Sequence, residues 1–388
     1  MIVLSLVLNS FTNDSRVVRA TRTYRELGGK AYVFGLHEPG FSEEENVDGI
    51  TVKRFRLVTR PWSKKYYIQF IKYFEVLFRM VVQGRRLKPD IIHANDLNTL
   101  PIGYFISRLA KCKLIYDSHE LETDRSEKRF PFWFSRITAK MEKILAKKAD
   151  VVITVSKSIA EVMAENLGIN EPIVIRNVPE RYRYSSKPAI GPLRRSLNLN
   201  KDVPIVLYQG CIDPGRGIEV LVKAFTVIKN TEAVLVFLGD GQLKESLMSF
   251  VTVNKLDDRV YFHPSVPAGK LLNWTADATI GIHPMEDICL NHRYALPNKL
   301  FQYIQAGLPV IVTDLPEMKR VVEEYRIGEV FPSGDYNKLA EKIDKLLSDI
   351  NLLKEYHLAA LNAAKELNWE KEKKRLENIF RTLIAEIR

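Results

Sequence analysis

With 388 residues, 46% of them hydrophobic, the chain can build two cores, which excludes a disordered or fibrous protein. Three cysteines, Cys112, Cys211 and Cys289, stand far apart with no Cys-x-x-Cys pair, which argues against a disulfide framework or a zinc site and for a reducing cytoplasm. The net charge of +11 is uneven: residues 53–89 hold eleven Lys/Arg against one acid, Glu75, with eight aromatics interleaved.

In chain order, the apolar run 2–8 is too short for a membrane span and lacks a preceding basic segment, so it reads as a first buried strand. Further strand-like runs fall at 31–36, 90–94, 113–117, 151–155 and 172–176. Helical patterns lie between them: one from about Asp14 to Gly28, one over 66–83, and one capped by Ser156 and ending at Gly168. This alternation predicts a doubly wound parallel sheet, with ligands at the carboxyl ends of the strands. The loops 9–16, 93–98 and 117–125 lie there, and His93 and His119, the latter beside Glu120, are the histidines they hold.

The basic aromatic stretch suits either an anionic membrane surface or nucleic acid, and no recognition motif accompanies it for the latter. Tyr67, Phe70, Ile71, Phe74, Leu77, Phe78, Val81 and Val82 fall at helical spacing, which predicts that much of the aromatic set is a core stripe with Lys72, Arg79 and Arg86 toward solvent.

Residues 181–202 are polar and proline-bearing and read as a linker between a first domain, 1–180, and a second, 203–368. Strands at 204–209, 233–238, 259–262, 278–283, 310–313 and 329–331 make a second parallel sheet, and two such domains suggest a cleft. The final amphipathic helix, 369–388, has Trp369, Leu376, Ile379, Phe380 and Leu383 on one stripe and is expected to cover part of the first domain.

The stretch NHRYALPNKLFQYIQAGLPVIV, 291–312, predicts a short helix with Asn298 as N-cap and Gly307 just past its end. The amides at its start and the Lys299 ammonium can hold an anion, although an ordinary capped helix gives the same pattern. A strand over 204–209 runs into GCIDPGRG, where Gly210, Gly215 and Gly217 permit close backbone approach and Arg216 offers a planar donor fork at a second helix start. Two converging positive helix ends suit a diphosphate. With no Asp-x-Asp and no ligand cluster at metal spacing, the neutralising charges are expected from protein cations rather than from a metal. Glu286 and Asp287 read either as acid/base carboxylates or as a solvated turn.

YDSHE at 116–120, VVITVSKSIAEVM at 151–163, IVIRNVP at 173–179, the GCIDPGRGIEVLVKAF turn, LGDG at 238–241 and PNKLFQYIQAGLPVI resemble, in kept order, the glycosyltransferases of the GT-B fold, more narrowly retaining family 4. The resemblance implies two Rossmann-like doubly wound parallel-sheet domains facing a cleft, the first binding a saccharide or lipid-linked acceptor and the second a nucleotide diphosphate sugar, UDP- or GDP-linked, with no cofactor or metal. It implies that Arg216, Asn298 and Lys299 contact the diphosphate, that Gly210 lies in the same loop, that Phe262 and His263 receive the base, and that His119 lies beside the donor sugar. Where many members carry two glutamates, this chain has Tyr294 and Gln302, and Cys211 replaces a frequent arginine. Gln302 keeps hydrogen-bonding capacity toward a ribose; Tyr294 has no acidic role. The implied place is the cytoplasm, with residues 53–88 against an anionic membrane face and no nucleic acid partner. A sugar-nucleotide 2-epimerase and a non-catalytic membrane scaffold are the competing expectations.

Overall fold

The computed structural model describes residues 1–12, 14–63, 65–122, 132–182 and 190–387. Lys64, part of the loop ending at Arg125, and part of the 181–202 segment lie outside them. The chain divides into unit 1, Met1–Arg176 with Glu372–Arg388, and unit 2, Asn177–Lys371.

Unit 1 runs β1 (Ile2–Leu6), α1 (Ser15–Glu26), β2 (Lys30–Leu36), β3 (Glu44–Val47), β4 (Ile50–Phe55), α2 (Tyr66–Leu87), β5 (Ile91–Asn95), α3 (Leu100–Ala110), β6 (Lys113–Ser118), α4 (Phe132–Ala146), β7 (Val151–Thr154), α5 (Lys157–Leu167) and β8 (Ile173–Val174). Its sheet has the order β3-β4-β2-β1-β5-β6-β7-β8 among the described residues, and β3 alone of these pairs antiparallel, with β4. The order reverses direction between β2 and β5 on either side of β1, so the loops after β1, β5 and β6 open at a switch point. Asp14 caps α1 by accepting from the Val17 amide, and Ser156 caps α5 through Ile159.

The stripe expected in the core is half overturned by α2, on which Phe70, Leu77, Val81 and Val82 are only partly buried. Phe74 is 63% and Phe78 69% exposed, and Tyr67 and Ile71 are exposed as well, while Val76, Met80 and Gly84 face inward. The helix lies on α3 along its smaller face, where Gly84 meets Ile106, so burial is set by close approach rather than by side-chain bulk.

Unit 2 runs α6 (Pro192–Ser196), β9 (Ile205–Gln209), α7 (Ile218–Phe225), β10 (Val234–Leu238), α8 (Lys244–Val253), β11 (Val260–His263), α9 (Ala268–Thr275), β12 (Ile280–His283), α10 (Leu290–Arg293), α11 (Asn298–Gln305), β13 (Val310–Thr313), α12 (Pro316–Tyr325), β14 (Gly328–Phe331), α13 (Tyr336–Ser348) and α14 (Ile350–Ala363). Its all-parallel sheet has the order β11-β10-β9-β12-β13-β14, with the switch point between β9 and β12. One core, with Leu300, Phe301 and Ile304 of α11, covers one face; Ile218, Leu221 and Phe225 of α7 belong to the other. Near-continuous apolar strands such as VLVFL follow from burial on both faces. The last helix, α15 (Trp369–Ile387), hands its residues from 372 onward to unit 1, where Glu372 holds Arg176 at 2.6 Å and Phe380 packs on Tyr24.

Candidate functional site

In unit 2 the loops after β9 and β12 and the start of α11 meet at the switch point. Asn298 is the first helical residue and Pro297 the cap, one position from the expectation, because the proline ring fixes the extended φ that a cap residue needs. No side chain caps α11, nor α7, whose cap is Gly217 in the left-handed region at φ +69°. A Cβ at Gly217 would collide with the Pro284 carbonyl, so glycine is required where the two loops touch. Both helix starts therefore present amides without a side-chain acceptor.

Lys299 Nζ lies 4.5 Å from the centre of the Tyr208 ring and donates to its hydroxyl at 3.0 Å; that hydroxyl donates in turn to the Cys211 carbonyl at 2.7 Å. Any side chain on Gly210, at φ +115°, would strike the Lys299 stem. Burial, reinforced by the positive charge of Arg216, brings the Lys299 ammonium down to about 7. Among the described residues neither Arg216 nor Lys299 has an ion pair. His283, at the end of β12 and fully buried, has no partner for either ring nitrogen among the described residues; burial, then Lys299, Arg216 and His292, hold it well below the usual histidine range. The region thus holds Arg216 with no ion pair among the described residues and a lysine whose charge burial has weakened, an arrangement that an anion completes by drawing a proton back onto Lys299.

Around it, Thr275 Oγ1 donates to Gln209 at 2.8 Å and Gln209 Nε2 donates to Gln302 Oε1 at 2.6 Å, which turns the Gln302 amide nitrogen away from the sheet. At the end of β11 the two half-buried rings turn to opposite faces of the sheet: Phe262 stacks on Phe237 with centroids 5.1 Å apart, and His263 lies 4.6 Å from the Trp274 ring. Tyr294 ends α10 and is half-buried. Asp287 is the solvated turn, paired with Arg293 at 2.8 Å. Glu286 is not: burial and the neighbouring Glu219 raise its pKa, and Glu219 keeps one buried oxygen without a partner. Sequence reasoning missed Tyr208, Gln209 and His283; their one signal was a polar residue at the carboxyl end of an otherwise apolar strand.

In unit 1, His119 follows β6 and Asp96 follows β5. His119 Nδ1 lies 3.4 Å from Asp96 Oδ1 and its Nε2 3.6 Å from Asp117 Oδ2. Against the burial penalty, Asp96 and Asp117 raise His119 to about 9, so it is an imidazolium at neutral pH. Asp117, buried, is gripped by Arg16 at 2.7 and 3.0 Å and by His93 at 3.1 Å. His93 therefore lies inside the fold rather than in a ligand-facing loop: its other ring nitrogen meets Tyr24, and all four residues are at most 2% exposed.

Residues 15–177 match the family described as Glycosyltransferase Family 4, and residues 190–364 match Glycosyl transferases group 1. The chain is similar to an uncharacterized glycosyltransferase of Methanocaldococcus jannaschii, 24% identical over 91% of this chain and 90% of the relative. It superposes on sucrose-phosphate synthase of Thermosynechococcus elongatus with a TM-score of 0.82, 18% identity and 99% of each chain covered. HepE of Anabaena, in complex with UDP, gives 0.75 at 17% identity over 99% of this chain and 100% of that one.

Proposed function

We propose, from the premise that the chain is a glycosyltransferase of the GT-B fold with family 4 and group 1 segments, that it moves a sugar from a nucleotide diphosphate sugar to a hydroxyl of a saccharide or lipid-linked acceptor, with retention and without a divalent metal, in cell-surface polysaccharide or glycoconjugate assembly. One observation carries this reading: Arg216 and Lys299 lie beside two helix starts that no side chain caps and have no ion pair among the described residues. A ligand diphosphate supplies the missing negative charge, and as the sugar departs these cations and amides stabilise the growing charge on the leaving group. That HepE is solved with UDP supports a uridine nucleotide.

In this mechanism the chain at Phe262 and His263, at the end of β11, takes the base, and the outward amide of Gln302 donates to a ribose hydroxyl. His119, as a cation, orients the donor sugar. No protein nucleophile is required, and the departing phosphate takes the acceptor proton. Glu219 and Glu286 near the same loop favour one second reading, a sugar-nucleotide 2-epimerase, since Glu286 holds its proton more readily than an ordinary carboxyl. Free epimer formed without acceptor would favour it.

The exposed stripe Tyr67, Ile71, Phe74 and Phe78 on α2, with Lys65, Arg85 and Arg86 exposed on the same helix and its lead-in, supports an anionic membrane as the place where a lipid-linked acceptor is met. Among the described residues no helix is long and apolar enough to cross a membrane. Phe74→Glu with Phe78→Glu should abolish sedimentation with anionic vesicles; unchanged binding removes this part of the reading.

The reaction itself is tested by a thermal-shift panel of UDP, GDP, ADP, dTDP and CMP, with and without EDTA, on the wild type and on Arg216→Ala with Lys299→Ala. One nucleoside diphosphate should stabilise the wild type in EDTA and not the double variant. No shift by any nucleotide at millimolar concentration sinks the proposal.

A further inference from the structure

The carboxyl ends of three neighbouring strands in unit 2 form a row. The register sets Gln209 of β9 against Leu238 of β10, and Leu238 against His263 of β11, so the three side chains share a face. Leu238 packs in the core that holds Leu300 and Ile304, which makes this the α11 face. At one end of the row Gln209 holds Gln302, the residue proposed above for the ribose; at the other, two strand spacings or about 10 Å away, stands His263.

The floor just beyond this row carries no side chains. Gly210 lies against the Lys299 stem, a Cβ on Gly239 would strike the Gly210 carbonyl, and the Gly239 amide donates to the His263 carbonyl at 2.9 Å. Contact therefore runs from Lys299 to His263 through two glycines. It leaves a strip across which a nucleoside can lie, with its phosphates at the lysine and its base at the histidine.

The hydrogen bonds of His263 fix what it offers such a base. Its Nδ1 lies 2.8 Å from the Pro264 carbonyl, which can only accept, so Nδ1 carries the proton. In the neutral ring the lone pair is then at Nε2. That atom has no partner among the described residues and is not buried, so a ligand can reach it. The ring is also held in place: it lies against Trp274 with centroids 4.6 Å apart, and Asp240 accepts from the Ser265 amide at 3.3 Å, which ties down the chain after Pro264.

We propose that His263 determines which base is accepted: its Nε2 lone pair takes a hydrogen bond from a ring N–H, and so selects uracil, thymine or guanine over cytosine or adenine. Uracil and thymine carry that N–H between two carbonyls, and guanine carries one beside its carbonyl. Cytosine and adenine present a lone pair at the same place, and two facing lone pairs repel. The proposal rests on the donor-site reading above and deepens it, from any nucleoside diphosphate to one with a keto base.

The experiment is calorimetric titration of the full chain with UDP, CDP, GDP and ADP at about pH 8, where an ordinary imidazole is neutral. It is run on the wild type and on His263→Asn, whose amide N–H falls near the Nδ1 position and keeps the bond to Pro264, with nothing in place of Nε2. On the wild type UDP or GDP should bind tightest, and its amino-base counterpart, CDP or ADP, at least about tenfold more weakly. His263→Asn should cut that ratio to within about threefold by weakening the keto nucleotide. His263→Gln, whose amide can present either its oxygen or its nitrogen, should also collapse the ratio, and it serves if His263→Asn does not fold. In nitrogen NMR of the histidine-labelled protein, with the signal assigned by either substitution, His263 Nε2 should be unprotonated before nucleotide is added and should shift upfield on binding. CDP or ADP as the tightest ligand, equal binding within the pair that binds, an unchanged ratio in a folded variant, or a protonated Nε2 overturns the proposal and leaves the donor site standing. No binding by any of the four at millimolar concentration overturns the donor site itself, and this proposal with it.

Discussion

The two units share one fold plan and treat the charges at their switch points in opposite ways. In unit 1 Arg16 is neutralised by Asp117 at 2.7 Å in the interior, and a single imidazolium, His119, remains above the pair. In unit 2 Arg216 and Lys299 have no ion pair among the described residues, and Lys299 is pressed toward neutrality by burial and by Arg216. A charge that is paired internally organises the protein; a charge left unpaired is stabilised only when a ligand arrives. The same kind of residue therefore serves structure in one unit and recognition in the other.

The contrast is tested most strongly by removing a cation from each. Arg16→Met takes from buried Asp117 its closest cation, leaving only His93 and His119 beside it, and should cost about 3 to 5 kcal/mol in denaturant unfolding. Lys299→Met removes a poorly paired ammonium and should leave the ligand-free protein as stable or about 1 kcal/mol more so, while nucleoside diphosphate affinity falls roughly a hundredfold. Equal destabilisation by the two substitutions would break the comparison.

Acidity sharpens it next. Lys299 titrates near 7 in the fold against 10.5 when unfolded, so between those values the folded state binds fewer protons and stability increases with pH. His119 titrates near 9 against 6.5, so its contribution is complete below 6.5 and is lost as pH rises through 9. The two oppose each other between about 7 and 9 in the wild type. Lys299→Met should expose a stability that falls with pH over that window, and His119→Gln one that rises, each by up to roughly 1 kcal/mol per pH unit. Slopes of one sign in both variants would show that one of the two assignments is wrong. Nucleotide binding should take up a proton near pH 7, read by calorimetry in buffers of different ionisation enthalpy, because the diphosphate restores the Lys299 charge. The smallest effect is expected on α2: Phe74→Ser and Phe78→Ser, on an exposed stripe, should change stability by no more than about 0.5 kcal/mol.

Much of this was legible in the residues. Apolar runs of strand length alternating with helical patterns predicted both parallel sheets, and local pattern placed Arg216 and Lys299 at helix starts and His119 just after a strand. The edge hairpin of β3 and β4 was not predicted, because EENV carries no apolar alternation and is held by pairing with β4. The α2 stripe was misassigned because helical periodicity gives the angular position of a side chain but not which side meets the protein; the side bearing Val76, Met80 and Gly84 turns inward, with Gly84 against Ile106 of α3. His93 was misplaced for a related reason. Position along a strand does not reveal whether a side chain points to a loop or under it.

The sequence by itself determined what is local: the strand and helix alternation, the glycines at positive φ in the β9–α7 turn, the proline that starts α11, and the excess of positive charge. These depend on residues near one another in the chain, so their physics is present before folding is complete. The tertiary structure alone decided which charges are neutralised. Arg16 meets Asp117 across 101 residues and His93 meets it across 24, while Lys299 meets a tyrosine 91 residues away and no ion-pair partner among the described residues. Pairing and desolvation depend on distances of a few ångströms between groups remote in sequence, and no pattern along the chain carries that information.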